Sequence, residues 1–110
     1  MSRASTAAAA ASNADSRVDA GAGPKPRILI VDDEPSMRDM LRIVLRRDGF
    51  DVTVAGNGKE AIEILQRDRI DLLLSDIRMP DVGGVEVLRA AKDINRDIIA
   101  FMMTAFASTD

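Results

Sequence analysis

Four short runs of aliphatic residues alternate with segments of helical periodicity, and this alternation restricts the possible folds more than any other feature. The runs are RILIV (27–31), DVTVA (51–55), DLLLS (71–75) and DIIAFMM (97–103). Nearly continuous apolar runs of this length are typical of strands that are buried on both faces. Strands that alternate with helices predict a parallel sheet with helices on both faces and right-handed crossovers.

The segments between the runs carry the signals that begin and end helices. Pro35 suits a first helical turn, where its missing N–H has no intrahelical partner, and Gly49 ends that helix. Asn57 and Glu60 have the spacing of a capping box and open a second helix. Apolar residues at helical spacing form one stripe that should face the core in the first helix, namely Met37, Met40, Leu41, Val44 and Leu45, and Ala61, Ile62 and Leu65 should face inward in the second. Val85, Leu88 and Ala91 mark a third helix.

Composition narrows the chemistry that the chain can perform. Its 110 residues suffice for one small domain. There is no cysteine and no histidine, which removes disulfides, a Ser-His triad and the commonest ligands of zinc and copper. The net charge of −3 argues against nonspecific nucleic-acid binding by this segment. No apolar run has the length that a bilayer requires, and a hard cation held by carboxylates is the metal chemistry that remains.

The first 26 residues differ from the rest of the chain. The segment MSRASTAAAAASNADSRVDAGAGPKP (1–26) is rich in Ala, Ser, Gly and Pro and has almost no large aliphatic side chains. It cannot bury enough apolar surface to offset the entropy of ordering, so we expect a flexible tail over residues 1–26. A signal peptide is the competing interpretation because Arg3 precedes an alanine run, but that run is bounded by polar residues and holds no Leu, Ile or Phe.

Acidic residues follow two of the predicted strands. Asp32, Asp33 and Glu34 come after the first strand, and Asp76 comes after the third. In flavodoxin-like sheets ligands gather beyond the carboxyl ends of these two strands, so Asp32, Asp33 and Asp76 would share one pocket. Their repulsion is severe unless a divalent cation, a proton or a lysine offsets it, and Mg²⁺ fits the carboxylates best. For Glu34 alone we favour a simple helix N-terminal role.

Three motifs in this order resemble the receiver (REC) domain of two-component response regulators. They are ILIVDDEPSMR (28–38), DLLLSDIRMPDVGG (71–84) and FMMTAF (101–106), and the resemblance extends from about residue 27 to the C-terminus. It implies a flavodoxin-like, doubly wound parallel sheet with strand order 2-1-3-4, in a cytoplasmic protein.

The resemblance also implies a role for each site residue. Asp76 would accept a phosphoryl group from a histidine kinase. Asp33 would ligate Mg²⁺ directly, Asp32 would act mainly through water, and the backbone carbonyl of Arg78 would be a further ligand. Thr104 would supply the switch hydroxyl that moves to bond the phosphoryl group. Such a domain is a signalling module that assists its own phosphorylation and dephosphorylation, and we do not expect it to be an enzyme.

The resemblance further implies an output domain in the full-length protein. The motifs DIRMP (76–80) and MMTAFAS (102–108) are similar to receivers of the nitrogen-regulation type, which precede an ATPase domain and a helix-turn-helix, so DNA binding by the output domain is expected. Residues 1–110 themselves should contact neither DNA nor a membrane, and homodimerisation stays open.

The sequence departs from the family pattern at its C-terminal end. Receivers continue with a fifth strand that ends in a lysine, followed by a fifth helix, whereas this sequence ends at Asp110. We therefore expect residues 27–110 to be a receiver domain that lacks its C-terminal strand and helix, with ASTD (107–110) at the start of a fourth helix. The fourth strand would be an apolar edge, and the fragment would be poorly stable and would self-associate.

Two alternatives stay open. The absent lysine favours a pseudo-receiver or interaction module that is not phosphorylated, whereas the acidic pair and Asp76 argue against it. The other alternative is a Mg²⁺-dependent phosphohydrolase with an aspartyl-phosphate intermediate, similar to haloacid dehalogenase-like proteins. Those proteins need Asp-x-Asp-x-Thr after the first strand, whereas this chain has DDEPS (32–36).

Overall fold

The computed structural model describes residues 24–104, in which strands and helices alternate as the sequence predicts. The strands are β1 (Arg27–Val31), β2 (Asp51–Ala55), β3 (Leu72–Asp76) and β4 (Ile99–Met103), and the helices are α1 (Pro35–Arg47), α2 (Gly58–Arg67) and α3 (Gly84–Ile94). The structure leaves residues 1–23 and 105–110 undescribed. Most of the predicted tail and the predicted helix start at 107–110 therefore lie outside the described residues.

Two strand boundaries differ from the prediction. Strand β3 begins at Leu72 and includes Asp76 as its last residue, whereas DLLLS (71–75) stops one residue earlier. Strand β4 begins at Ile99, two residues later than predicted. The delay has a local cause, because the Ile98 N–H donates to the Asn95 carbonyl in a turn at 3.1 Å.

The four strands form one parallel sheet in the order β2-β1-β3-β4, which confirms the predicted order 2-1-3-4. Ile30 is aligned with Val54 on one side and with Leu74 on the other, and Leu74 is aligned with Phe101. The chain therefore leaves β1 toward β2 on one side and continues through β3 and β4 on the other. The point at which the strand order reverses, the switch point of the sheet, lies between β1 and β3, at their carboxyl ends.

Helices cover both faces of the sheet, as predicted. On one face Leu29, Val31 and Leu73 pack with buried residues of α2 and α3, including Ala61 and Val87. On the other face Ile28, Ile30 and Val52 pack with the partly buried residues Leu41 and Leu45 of α1. Alternate residues of each central strand thus enter two different cores, which explains why these strands are continuously apolar.

The prediction that the whole apolar stripe of α1 faces the core is wrong for Met40 and Val44, and Val85 of α3 is likewise outside the core. Met40 is 50% exposed, Val44 is 43% exposed and Val85 is 51% exposed. The sheet packs against the side of α1 that carries Leu41 and Leu45. Met40 and Val44 therefore lie on a side of the helix that the described residues do not cover. On α3 the buried side is that of Val87 and Ala91, which leaves Val85 outside the core.

Candidate metal centre

Asp32 is held at the end of β1 by its backbone and by its carboxylate. Its N–H donates to the Ala55 carbonyl of β2 at 3.2 Å. Its side chain is buried, and Oδ1 accepts a hydrogen bond from the Glu34 N–H at 2.9 Å. The carboxylate is therefore oriented inside the turn that connects β1 to α1.

The next two residues belong to the same turn but differ in their roles. Asp33 is exposed, and Glu34 is the N-cap of α1, with Pro35 as the first helical residue. Glu34 Oε1 accepts a hydrogen bond from the Met37 N–H at 3.0 Å. This bond satisfies one of the free donors of the first helical turn, which confirms the helix N-terminal role that the sequence predicts for Glu34.

Asp76 is the buried last residue of β3. Its Oδ1 accepts a hydrogen bond from the Arg78 N–H at 3.1 Å. The loop after β3 closes where the Gly84 N–H donates to the Ile77 carbonyl at 2.9 Å. A Cβ atom on Gly84 would overlap the carbonyl oxygen of Asp76, so only glycine allows α3 to begin so close to the end of β3.

The three predicted carboxylates meet at this edge of the sheet. One oxygen each of Asp32, Asp33 and Asp76 can be chosen so that all lie within 4.8 Å of one another. Burial raises the pKa of Asp32, and the negative charges of Asp76, Asp33 and Glu34 raise it further, against the opposing effect of the Glu34 N–H. Hard carboxylate oxygens so close together, with two of them buried, suit a small divalent cation such as Mg²⁺.

The two remaining predicted site residues lie next to this cluster along the chain. The backbone N–H of Arg78 reaches Asp76, and the ligand role of the Arg78 carbonyl stays a prediction. Thr104 is exposed and directly follows β4. Met103 is aligned with Asp76, and its carbonyl accepts from the Ile77 N–H at 2.9 Å. Thr104 is thus the residue after the β4 partner of Asp76, and its switch role also stays a prediction.

Sequence reasoning missed Arg38, which lies on α1 and contacts the site turn. Its Nη1 donates to the backbone carbonyl of Asp32 at 2.8 Å. A signal was available, because Arg38 precedes Leu41 and Leu45 by three and seven residues and therefore shares their inward side of α1. An arginine on the inward side of a helix needs an acceptor, but the periodicity does not reveal which one.

The fold and the site together define the class of protein. It is a flavodoxin-like α/β domain that has a carboxylate cluster at the switch point between β1 and β3. The chain belongs to the response regulator receiver domain family, whose sequence profile matches residues 28–110.

The similarity to individual proteins is consistent with membership of this family. The chain is 40% identical over 85 residues to the DNA-binding response regulator MtrA of Mycolicibacterium smegmatis, an alignment that covers 77% of this chain and 37% of MtrA. It is 40% identical over 88 residues to the transcriptional regulatory protein ZraR of Klebsiella oxytoca, with coverage of 80% of this chain and 20% of ZraR. The chain therefore spans well under half of either relative.

Solved structures of receivers superpose on the fold. The response regulator TrrA of Thermotoga maritima, in complex with Mg²⁺–BeF, matches with a TM-score of 0.70 and 35% identity, covering 74% of this chain and 71% of that chain. The chemotaxis protein CheY4 of Vibrio cholerae matches with a TM-score of 0.72 and 31% identity, covering 78% and 73% respectively. Within residues 24–104 we find no helix with both the length and the apolar character needed to cross a membrane.

Proposed function

We propose that this chain is the phosphoacceptor domain of a two-component response regulator, with Asp76 as the acceptor, a histidine kinase as the donor and Mg²⁺ as the cofactor. The observation that carries this proposal is the convergence of Asp32, Asp33 and Asp76 within 4.8 Å at the switch point, in a chain of the receiver family. Without a cation, the mutual repulsion of three such carboxylates destabilises the folded state.

Asp76 is the best candidate for the acceptor. The Arg78 N–H engages its Oδ1, which orients the carboxylate and leaves Oδ2 for attack. In the transfer, Oδ2 forms a bond to phosphorus while the bond from phosphorus to the donor histidine nitrogen breaks, and that nitrogen keeps the electron pair. Mg²⁺ held between the carboxylates would offset the repulsion between the attacking anion and the phosphoryl oxygens.

The surroundings of the other two carboxylates support different roles for them. Asp33 is exposed, and none of the hydrogen bonds described for residues 24–104 uses its carboxylate. It is free to ligate Mg²⁺ directly. The Glu34 N–H already engages Asp32 Oδ1, which favours action through a bound water. The Arg78 carbonyl, two residues after the acceptor, would complete the protein ligands.

Thr104 would report phosphorylation. Its neighbour Met103 is aligned with Asp76 in the sheet, so the Thr104 hydroxyl begins close to the carboxyl end of β3. A hydroxyl donor there can move to a phosphoryl oxygen on Asp76. This movement would transmit the modification to the residues that follow β4.

The relatives support a transcriptional output. MtrA is a DNA-binding response regulator and ZraR is a transcriptional regulatory protein, so the full-length protein would couple Asp76 to a DNA-binding domain in the cytoplasm. The match to ZraR is consistent with the nitrogen-regulation type. The domain itself would assist its own phosphorylation and dephosphorylation without turning over a separate substrate.

Mass spectrometry after treatment with a small phosphodonor tests the acceptor. With acetyl phosphate and Mg²⁺, we expect one added phosphoryl group on the wild-type chain and none on Asp76→Asn. The matched control is Asp81→Asn, since Asp81 is an exposed carboxylate in the loop after β3 and should be dispensable. A phosphoryl adduct that survives Asp76→Asn would show that Asp76 is not the acceptor. A wild-type chain that binds Mg²⁺ but takes no phosphoryl group would favour an interaction module.

A further inference from the structure

Arg38 contacts the site without contacting a carboxylate. Its guanidinium donates from Nη1 to the Asp32 carbonyl at 2.8 Å, and within residues 24–104 no ion pair involves Arg38. The group lies directly over Gly56, because a Cβ atom there would be 3.2 Å from Nη1 and 3.5 Å from Cζ. Glycine at position 56 thus leaves the space that the guanidinium occupies.

The bond from Arg38 fixes the peptide group that carries Asp33. The Asp32 N–H is held by Ala55, the Asp32 carboxylate is held by Glu34, and the Asp32 carbonyl is held by Arg38. This carbonyl belongs to the peptide between Asp32 and Asp33, so its direction sets the rotation of that peptide. Because the Asp33 carboxylate has no described hydrogen bond of its own, this peptide is the held part of the backbone from which the Asp33 side chain extends.

We propose that Arg38 is a positioning residue, which orients the Asp33 carboxylate toward the metal through the Asp32 carbonyl. The proposal rests on the proposed role of Asp33 as a metal ligand. The proposal predicts the direction in which removal of Arg38 changes the Mg²⁺ affinity. A cation near the site repels Mg²⁺, so a purely electrostatic Arg38 would weaken metal binding and its removal would tighten it. A positioning Arg38 strengthens metal binding, and its removal weakens it.

The first test compares two arginines of the same helix by Mg²⁺ titration calorimetry at fixed ionic strength. Arg38→Ala should weaken the affinity about tenfold or more, as for other residues that orient metal ligands. Arg42→Ala is the matched control, because Arg42 contacts Asp39 on the same helix and its loss changes the net charge equally. Arg42→Ala should leave the affinity unchanged or slightly tighter. Arg38→Met keeps the apolar stem and removes the donors, and it should behave as Arg38→Ala.

The second test approaches the same contact from the other side. Gly56→Val should displace the guanidinium and weaken Mg²⁺ binding in the wild-type background. It should have no further effect in Arg38→Ala, where the guanidinium is gone. Such non-additivity is the expected sign of two residues that act through one contact.

A readout without metal separates this proposal from the proposed function. In the metal-free protein, Arg38→Ala should shift the NMR resonance of the Asp33 amide, which belongs to the peptide that Arg38 holds. Arg42→Ala should leave that resonance unchanged. An unchanged Asp33 amide, or a Mg²⁺ affinity equal to or tighter than wild type in both Arg38 variants, would overturn the proposal. If the wild-type chain binds no Mg²⁺, the proposed function fails and the amide readout still decides the role of Arg38.

Discussion

Asp32 and Asp76 are each only 4% exposed, and they share the carboxyl edge of the sheet with the exposed Asp33. Residues of the same type thus have different environments within one cluster. The raised pKa of Asp32, caused first by burial and then by the neighbouring carboxylates, shows that the folded chain disfavours this charge in the absence of a cation. The cluster opposes folding and favours metal binding for the same electrostatic reason.

This opposition predicts that Asp32→Asn stabilises the metal-free protein. The carboxamide oxygen can still accept from the Glu34 N–H, while one negative charge leaves the cluster. The free energy of unfolding in urea without metal should rise by on the order of 1 kcal/mol, since unit charges about 4 Å apart repel by that amount even in water. The control Asp93→Asn removes an exposed carboxylate of α3 and should change it by less than about 0.5 kcal/mol. A less stable Asp32→Asn would contradict the electrostatic account.

The sequence was sufficient to predict which carboxylates meet, because parallel strands bring their carboxyl ends to one edge wherever the strand order is known. It was not sufficient to predict the contact of Arg38 with Asp32. That contact depends on how α1 packs on β1 and β2, and on the empty space over Gly56. The reach of a long side chain across two elements is a tertiary property that local periodicity does not encode.

At the scale of elements, the start of α3 positions the end of β3. Gly84 is the first residue of α3, and the position of a Cβ atom there would overlap the Asp76 carbonyl and lie 2.9 Å from both Ile77 Cα and Met102 Cε. Such contacts require the backbone to move. The preceding Gly83 is different, since a Cβ there would make only an ordinary contact, at 3.5 Å from the Ile77 carbonyl.

This pair of glycines provides a prediction with its own control. Gly84→Ala should destabilise the protein by about 1–3 kcal/mol in urea and should shift the NMR resonance of the Asp76 amide, because α3 must move away from β3. Gly83→Ala replaces an N-cap glycine and should cost less than about 1 kcal/mol. Equal effects of the two substitutions would show that the close approach of α3 to Asp76 is not required.

The elements themselves were predictable, whereas the way they cover one another was not. The alternation of strands and helices predicted the parallel sheet, and the resemblance to receivers implied the strand order. Each helix begins where Pro35, Asn57 or Gly84 allows it. The exposed Met40 and Val44 have the spacing of core residues and contradict the simple amphipathic pattern. Periodicity identifies an apolar side of a helix, but it does not show how wide a part of that side the neighbouring elements cover.

At the scale of the whole molecule, the described residues cover the α1 face of the sheet unevenly. Helix α1 packs over β1 and β2, but across the sheet Leu74 is aligned with Phe101, which is 55% exposed. The opposite face is closed by α2 and α3, with Leu73 and Val87 fully buried between sheet and helices. Much of the apolar burial that stabilises residues 24–104 is therefore on the α2–α3 side.

The loops of three crossovers contact one another at the carboxyl edge of the sheet. Metal binding at this edge should therefore stabilise the whole domain. The β1–α1 turn is joined to the end of β2 by Asp32 and Arg38, and Gly58 at the start of α2 packs against Val82 of the β3–α3 loop. Local unfolding of the β1–α1 turn or of the β3–α3 loop would separate the three carboxylates. A cation that requires all of them in place binds only the folded state, and its binding free energy adds to stability.

Mg²⁺ should therefore raise the free energy of unfolding of the 110-residue chain by about 2.7 kcal/mol when free Mg²⁺ is about 100 times its dissociation constant. Urea denaturation at increasing Mg²⁺ measures this gain, which should grow logarithmically once the site is nearly saturated.

Sodium chloride at matched ionic strength is the first control, because salt screens the carboxylates without ligating them. Asp33→Asn is the second control, since it removes the exposed carboxylate while Asp32 and Asp76 stay buried. The gain in the free energy of unfolding of Asp33→Asn at the same Mg²⁺ concentration should be markedly smaller than that of the wild type. If sodium chloride reproduces the gain, or if Asp33→Asn retains it in full, the stabilisation is general screening and the cluster does not bind Mg²⁺ through Asp33.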